Sequence, residues 1–201
     1  MSAIAGRSFR LVERARMIVM DLTGWTWLNE PQKWSTDPLT VHADPSSDFW
    51  RLTGNGVIRD NGHLFGVSLT GDFTITATFS GEYAAQYDHA GVGLLVDGEN
   101  WIKAGIEVFD GKQQASTVVT RGFSDWNLAL VEPFERFTVS AERKGDAVWV
   151  RYGVDGEQPV HVLRKAYFPP GVEAKVGVMA ASPEGEGFVT RFHEVQLTQL
   201  P

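Results

Sequence analysis

From Leu39 onward, apolar residues recur at every second position in short runs, and glycine, asparagine or aspartate separates one run from the next. A period of two belongs to a strand with one face buried, because successive side chains point to opposite sides of a sheet. The runs predict strands at 39–43, 49–52, 63–69, 73–79, 90–96, 101–109, 113–121, 137–143, 147–154, 160–164, 172–181 and 188–197. Gly54-Asn55-Gly56, Asn61-Gly62, Asp97-Gly98, Asp110-Gly111, Lys144-Gly145-Asp146 and Asp155-Gly156 stand between them and supply the positive-φ residues of tight turns. No long helical period competes. The pattern is that of an all-β sandwich, and the number of strands fits a jelly roll better than a small immunoglobulin-like domain.

Within residues 88–126 the alternation also assigns faces. Ile102, Ala104, Ile106 and Val108 form an apolar side, leaving Trp101, Lys103, Gly105 and Glu107 on the other. A two-residue turn at Asp110-Gly111 pairs Phe109 with Lys112, and hence Glu107 with Gln114, Gly105 with Ser116, Lys103 with Val118 and Trp101 with Thr120. For Val92, Leu94 and Val96 to reach the same core, the preceding connection needs an odd number of residues. A loop of residues 98–100 then sets Gly91, Gly93 and Leu95 beside Glu107, Gly105 and Lys103. Strand glycines mark either the close approach of a ligand or backbone, or strong sheet curvature.

Composition narrows the function classes. The 201 residues, 43% hydrophobic and 21% charged, are enough for one substantial core. One domain is expected over residues 21–201, with residues 1–20 as a disordered N-terminal extension. That extension carries Arg7, Arg10, Arg14 and Arg16 and the short apolar run Met17-Ile18-Val19-Met20, which is neither a membrane span nor a signal peptide. A start at Met17 or Met20 is the alternative. A cytoplasmic protein without membrane attachment is expected. A net charge of -7 opposes nucleic-acid binding, which draws on lysine and arginine, and the absence of cysteine excludes disulfides and thiolate metal sites.

Among chemical candidates, Glu107 and Glu30 are the best carboxylate pair for acid and base roles in glycoside hydrolysis, where separation decides the outcome. A closely spaced Glu-x-Asp-x-x-Glu strand motif is missing, since Val108, Phe109 and Asp110 follow Glu107. A salt bridge with Lys103 or an arginine is the structural alternative for Glu107. Trp27, Trp34, Trp101, Trp126 and Trp149 are candidates for stacking on flat ligand faces, or for the core. Arg121, Ser124, Asp125 and Trp126 read as a loop at a strand end, a position that suits recognition. Ser124 lacks the surroundings of a nucleophile elbow and reads as a turn former. The five histidines have no metal-ligand spacing, so no metal is expected; Gly91-Val92-Gly93 lies inside a strand, which removes a dinucleotide cofactor, and none is expected. Asp88 and His89 read as exposed strand-entrance residues or as contacts to a groove ligand.

The segments Trp27-Leu28-Asn29-Glu30-Pro31, Asp88-His89-Ala90-Gly91, Trp101-Ile102-Lys103-Ala104-Gly105-Ile106-Glu107 and Thr120-Arg121-Gly122-Phe123-Ser124-Asp125-Trp126 resemble those of the enolase-regulator-like family. The resemblance extends from about Trp25 to Leu197. It implies a concanavalin A-like jelly roll of two curved antiparallel sheets, with the Trp101/Lys103/Glu107 face on the concave side. The expected function is binding of a carbohydrate or another polyhydroxylated metabolite by Trp27, Glu30, Trp101, Lys103, Glu107, Arg121, Ser124, Asp125 and Trp126. A glycosidase using Glu107 and Glu30 is the second reading, and a regulatory domain with a protein partner the third.

Overall fold

The computed structural model describes residues 20–200, which form sixteen strands. In the first half of the chain these are β1 (Thr26–Leu28), β2 (Lys33–Thr36), β3 (Leu39–Ala43), β4 (Phe49–Arg51), β5 (Ile58–Asp60), β6 (His63–Leu69), β7 (Phe73–Gly81) and β8 (His89–Asp97). In the second half they are β9 (Asn100–Phe109), β10 (Lys112–Arg121), β11 (Phe123–Leu130), β12 (Phe137–Lys144), β13 (Ala147–Val154), β14 (His161–Tyr167), β15 (Ala174–Ala181) and β16 (Phe188–Gln199). One seven-stranded sheet has the order β1-β6-β15-β8-β9-β10-β11, a second the order β14-β13-β12-β7-β16-β3-β2, and the β4-β5 hairpin stands apart. All pairings within them are antiparallel. Among the described residues no helix is long and apolar enough to cross a membrane.

Alternation builds the core between the two large sheets. Phe73, Ile75, Ala77 and Phe79 of β7 and Phe137, Val139 and Ala141 of β12 face Val92 and Leu94 of β8, Ile102 and Ile106 of β9, and Val176 and Val178 of β15 in one buried cluster. Each large apolar side chain so buried contributes about 1.5–3 kcal/mol of transfer free energy. The intervening positions turn outward: Thr78 and Thr138 share a hydroxyl hydrogen bond of 2.9 Å, and Thr76 donates to Ser140 at 3.2 Å. Residues 1–19, and with them most of the expected extension, lie outside the described residues. Met20 packs with Leu22 and Trp25 against the core and is no part of a free tail.

Every predicted run overlaps an observed strand, and the β9–β10 register is the expected one, with Glu107 opposite Gln114, Gly105 opposite Ser116, Lys103 opposite Val118 and Trp101 opposite Thr120. The β8–β9 register differs. Gly91 pairs with Gly105, Gly93 with Lys103, Leu95 with Trp101 and His89 with Glu107, two residues away from the expected partners. The connection is a two-residue turn at Gly98-Glu99, with Asp97 paired to Asn100 and a bulge between Leu95 and Asp97. An even turn plus one bulged residue, Val96, keeps Val92 and Leu94 on the core face, as an odd loop does.

The glycine row is explained by the strands themselves. A Cβ on Gly105 would lie 2.0 Å from the carbonyl oxygen of Ala90, and one on Gly91 2.1 Å from that of Ala104. Adjacent backbones at Gly91 and Gly105, and the Leu64 side chain at Gly93, occupy the space that a Cβ would need.

The expected loop at residues 121–126 is a second correction. Gly122, at a φ of 73°, turns the chain back on itself, and Phe123 onward returns as β11 with Arg121 opposite Phe123 and Val118 opposite Trp126. Ser124 and Asp125 within the segment are turn formers by propensity, but pairing along β10 overrides them.

Candidate functional site

The face of β9 turned away from the core carries Trp101, Lys103, Gly105 and Glu107, and the β4-β5 hairpin folds over it. Phe49 packs on Trp101 with ring centroids 6.0 Å apart, in a small buried cluster with Leu64, Val118 and Met179. Ser124 pins the hairpin: its hydroxyl accepts the Arg51 backbone N–H at 2.9 Å and lies 2.8 Å from the Thr120 hydroxyl. Beside this cover a cavity of about 280 Å³ remains, floored by Lys103, Glu107 and Asp48 and walled by Trp50, Tyr87, Trp126, Arg59 and Pro183.

The floor is a buried charge network. The Lys103 ammonium donates to Asp48 Oδ1 at 3.0 Å and lies 3.1 Å from His89 Nε2, with Lys103 only 6% exposed. His89 Nδ1 is 2.7 Å from the Tyr87 carbonyl oxygen; the proton therefore sits on Nδ1, leaving Nε2 to accept from the ammonium. Burial, reinforced by the Lys103 charge, pushes the imidazole down to about 3, so His89 is neutral at ordinary pH. Burial alone would raise Asp48; the Lys103 ammonium, His89 and the hydrogen bonds outweigh it and hold the carboxyl below its usual value.

Glu107 has the opposite balance. Its Oε2 accepts the Ser116 hydroxyl at 2.6 Å and the Trp126 indole N–H at 2.9 Å, yet burial prevails over these and over Lys103 and raises its pKa. Lys103 has taken Asp48 as its ion-pair partner, so the expected Glu107–Lys103 bridge does not form among the described residues. Trp126 meets Phe109 at 5.0 Å and Tyr87 at 6.1 Å, both edge-on. Tyr87 holds a φ of 65°, costly for a bulky side chain, and is fixed by its N–H to Val108 and its carbonyl to His89.

Of the residues expected at the site, Lys103, Glu107 and Trp126 line the cavity. Trp101 is sealed beneath Phe49, and Ser124 is wholly buried as the hairpin's anchor. Arg121 is exposed and lies over the Tyr167 ring, while Asp125 is exposed on β11. Trp27 packs against Trp34 and Phe65 on the core, and Glu30 accepts the Trp34 indole N–H at 2.8 Å, so neither reaches the cavity. The expectation that Asp88 and His89 are exposed fails: Asp88, just before β8, and His89, its first residue, are both buried, His89 against the Lys103 ammonium. Asp88 accepts the N–H groups of Ala84 and Ala85 and the Ser182 hydroxyl, and braces the turn that carries Tyr87.

Asp48, Trp50, Arg59 and Tyr87 were not singled out in the sequence. Trp50 and Arg59 flank the Gly54-Asn55-Gly56 turn, the one signal that two opposed side chains share a hairpin. A wider recess of about 490 Å³ on the outer face of the second sheet has Thr76, Thr78 and Thr138 beneath Glu135, Asp155 and Glu157; it lacks aromatic walls and a buried charge. Among the described residues no cluster of three or more histidine or acidic side chains could hold a metal.

Two curved antiparallel sheets around one core, with a hairpin-covered polar site on an outer face, define a concanavalin A-like jelly-roll sandwich. The carbohydrate-binding module CBM66 from Bacillus subtilis has this fold at a TM-score of 0.58 and 14% identity, covering 89% of this chain and 98% of that one. A GH43 protein from Bacillus licheniformis shares it at a TM-score of 0.68 and 13% identity, over 87% of this chain and 36% of that one. Such distant likeness concerns fold only.

The chain belongs to the family described as "Protein of unknown function (DUF1349)", which matches residues 27–200. It is 35% identical to "Regulation of enolase protein 1" of Saccharomyces cerevisiae over 181 residues, 89% of this chain and 91% of the relative. The crystal structure of a functionally unknown protein from Saccharomyces cerevisiae superposes with a TM-score of 0.84 at 34% identity, covering 90% of this chain and all of that one.

Proposed function

We propose that the chain is a ligand-binding module whose hairpin-covered cavity takes a carbohydrate or another polyhydroxylated metabolite. The carrying observation is the indole of Trp126 standing over a buried polar floor, its N–H held by the carboxyl group of Glu107. Aromatic walls suit the apolar faces of a sugar ring, and Lys103, Asp48 and Glu107 offer directed hydrogen bonds to its hydroxyls. The sandwich is also the fold of a protein named as a carbohydrate-binding module, which supports the reading at fold level. Hydrolysis by Glu107 and Glu30 has no support in the geometry, because Glu30 is committed to Trp34 away from the cavity.

A thermal-shift panel of sugars, sugar phosphates and organic acids tests the proposal. One hydroxyl-rich class should stabilise the wild type, Glu107→Gln should retain part of that shift and Glu107→Ala should lose it. Equal shifts in all three proteins would move the ligand elsewhere.

A second reading rests on the flank where the edges of the two sheets meet. Arg121 at the end of β10 reaches over Tyr167 of β14 there, and Phe123, which starts β11 after the turn, is exposed, as is Tyr167. Exposed aromatic side chains at this edge, outside the cavity, suit a protein partner. The name of the yeast relative makes an enolase the first partner to test, by gel filtration of the mixed proteins with Phe123→Asp and Tyr167→Asp as the variants that should abolish a complex.

A further inference from the structure

The cavity is closed along the direction in which a polysaccharide would run over the sheet. Past Lys103, the groove on β9 is filled by Phe49 seated on Trp101 with Leu64 and Met179 around it. Past Glu107, it is blocked by the mutual packing of Tyr87, Phe109 and Trp126 at 5.0–6.1 Å between ring centroids. Across the strands, Trp50 and the Thr53-Gly54-Asn55 tip form one wall, and Arg59 of that hairpin donates to the Pro183 carbonyl at 3.2 Å, latching it to the segment after β15. The cavity volume of about 280 Å³ lies just below the ~300–1,000 Å³ typical of small-molecule sites, enough for one monosaccharide and not for a run of them.

Charge narrows the occupant further. Lys103 is ion-paired with Asp48 on the floor, and the lining as a whole sets two cationic side chains, Lys103 and Arg59, against three carboxyl groups, Asp48, Glu107 and Glu184, so cations are not in excess to meet an anionic substituent. A carboxylate or phosphate brought into this enclosure would lose its hydration without gaining an unmatched partner.

We infer that the cavity takes a single uncharged glycosyl unit end-on, either a free monosaccharide or the exposed terminus of a longer saccharide, and excludes internal units of a chain. The inference rests on the ligand-binding reading above and specifies what the site recognises. Its test is calorimetric titration of the wild-type protein with neutral hexoses and pentoses, their methyl glycosides, the matching di- to hexasaccharides, and the corresponding uronic acids and sugar phosphates.

The expected result is one sugar type bound as methyl glycoside and as hexasaccharide within about threefold in affinity, at one protein per chain end, with its charged analogues at least tenfold weaker. An affinity that climbs more than tenfold with chain length, or a stoichiometry that follows chain length, overturns end-on recognition while leaving carbohydrate binding intact. Tighter binding of a uronate or phosphate overturns the neutral requirement. If no sugar of any length binds, the carbohydrate reading itself fails.

Discussion

Lys103 sits between a carboxylate and a neutral imidazole with almost no contact with water, and the cost of that position is met only while Asp48 remains. Lys103→Met should therefore destabilise the fold by about 3–5 kcal/mol in urea titrations, because it strands a buried carboxylate; the Asp48→Asn, Lys103→Met double variant should cost less than the single one. His89 gives the site a pH dependence of definite sign. Its folded pKa of about 3 lies below the ordinary 6.5, so the unfolded chain takes up the proton first. The stability this group contributes is complete above about pH 6.5 and is lost as pH falls toward 3. Asp48, also depressed, adds a loss in the same direction below its ordinary 3.8, whereas the raised Glu107 favours the fold at low pH and loses its contribution as pH rises through its folded value. His89→Gln should flatten the decline between pH 6.5 and 3 in pH-dependent urea unfolding. The shared face of Lys103 and Glu107 was legible because alternation along one strand is local. Asp48 and Arg59 were not, because which hairpin covers which strand is decided by packing between segments far apart in the chain.

Glycine in the central strands does steric work that a turn glycine does not. Gly105→Ala places a methyl group on the Ala90 backbone and should cost about 3 kcal/mol or more, while Gly98→Ala, with open space at its Cβ, should stay within about 0.5 kcal/mol; thermal and urea unfolding of the two variants checks the contrast. The same distinction explains what could be read in advance. β7 and β9 alternate cleanly because each has one face in the core, and their bounds were close to those observed. β1, β2 and β5 have only three or four residues each, with little buried surface to impose a period. β11, an edge strand, carries Ser124, Asp125 and Asn127, which read as turn chemistry until β10 supplies a partner. The glycines of β8 and β9 left two explanations open in the sequence, since a residue without a side chain does not show what fills its space.

Both large sheets contribute to a single buried cluster, so neither has an independent core to retain when the other opens. Far-UV circular dichroism and tryptophan fluorescence should report the same unfolding midpoint, and separated midpoints would divide the chain into parts. The net charge of -7 and the pairing of Lys103 with Asp48 on the cavity floor weigh against polyanions. One further property follows from the bulge at Val96. β8 carries a residue of slack: losing a single residue from its end can be absorbed by straightening the bulge, with Val92 and Leu94 still inward and Gly93 still beside Lys103. An added residue has no such reserve. Chains of this architecture can thus shorten at this strand without disturbing the floor of the cavity, but lengthening it demands a second bulge or turns that floor over.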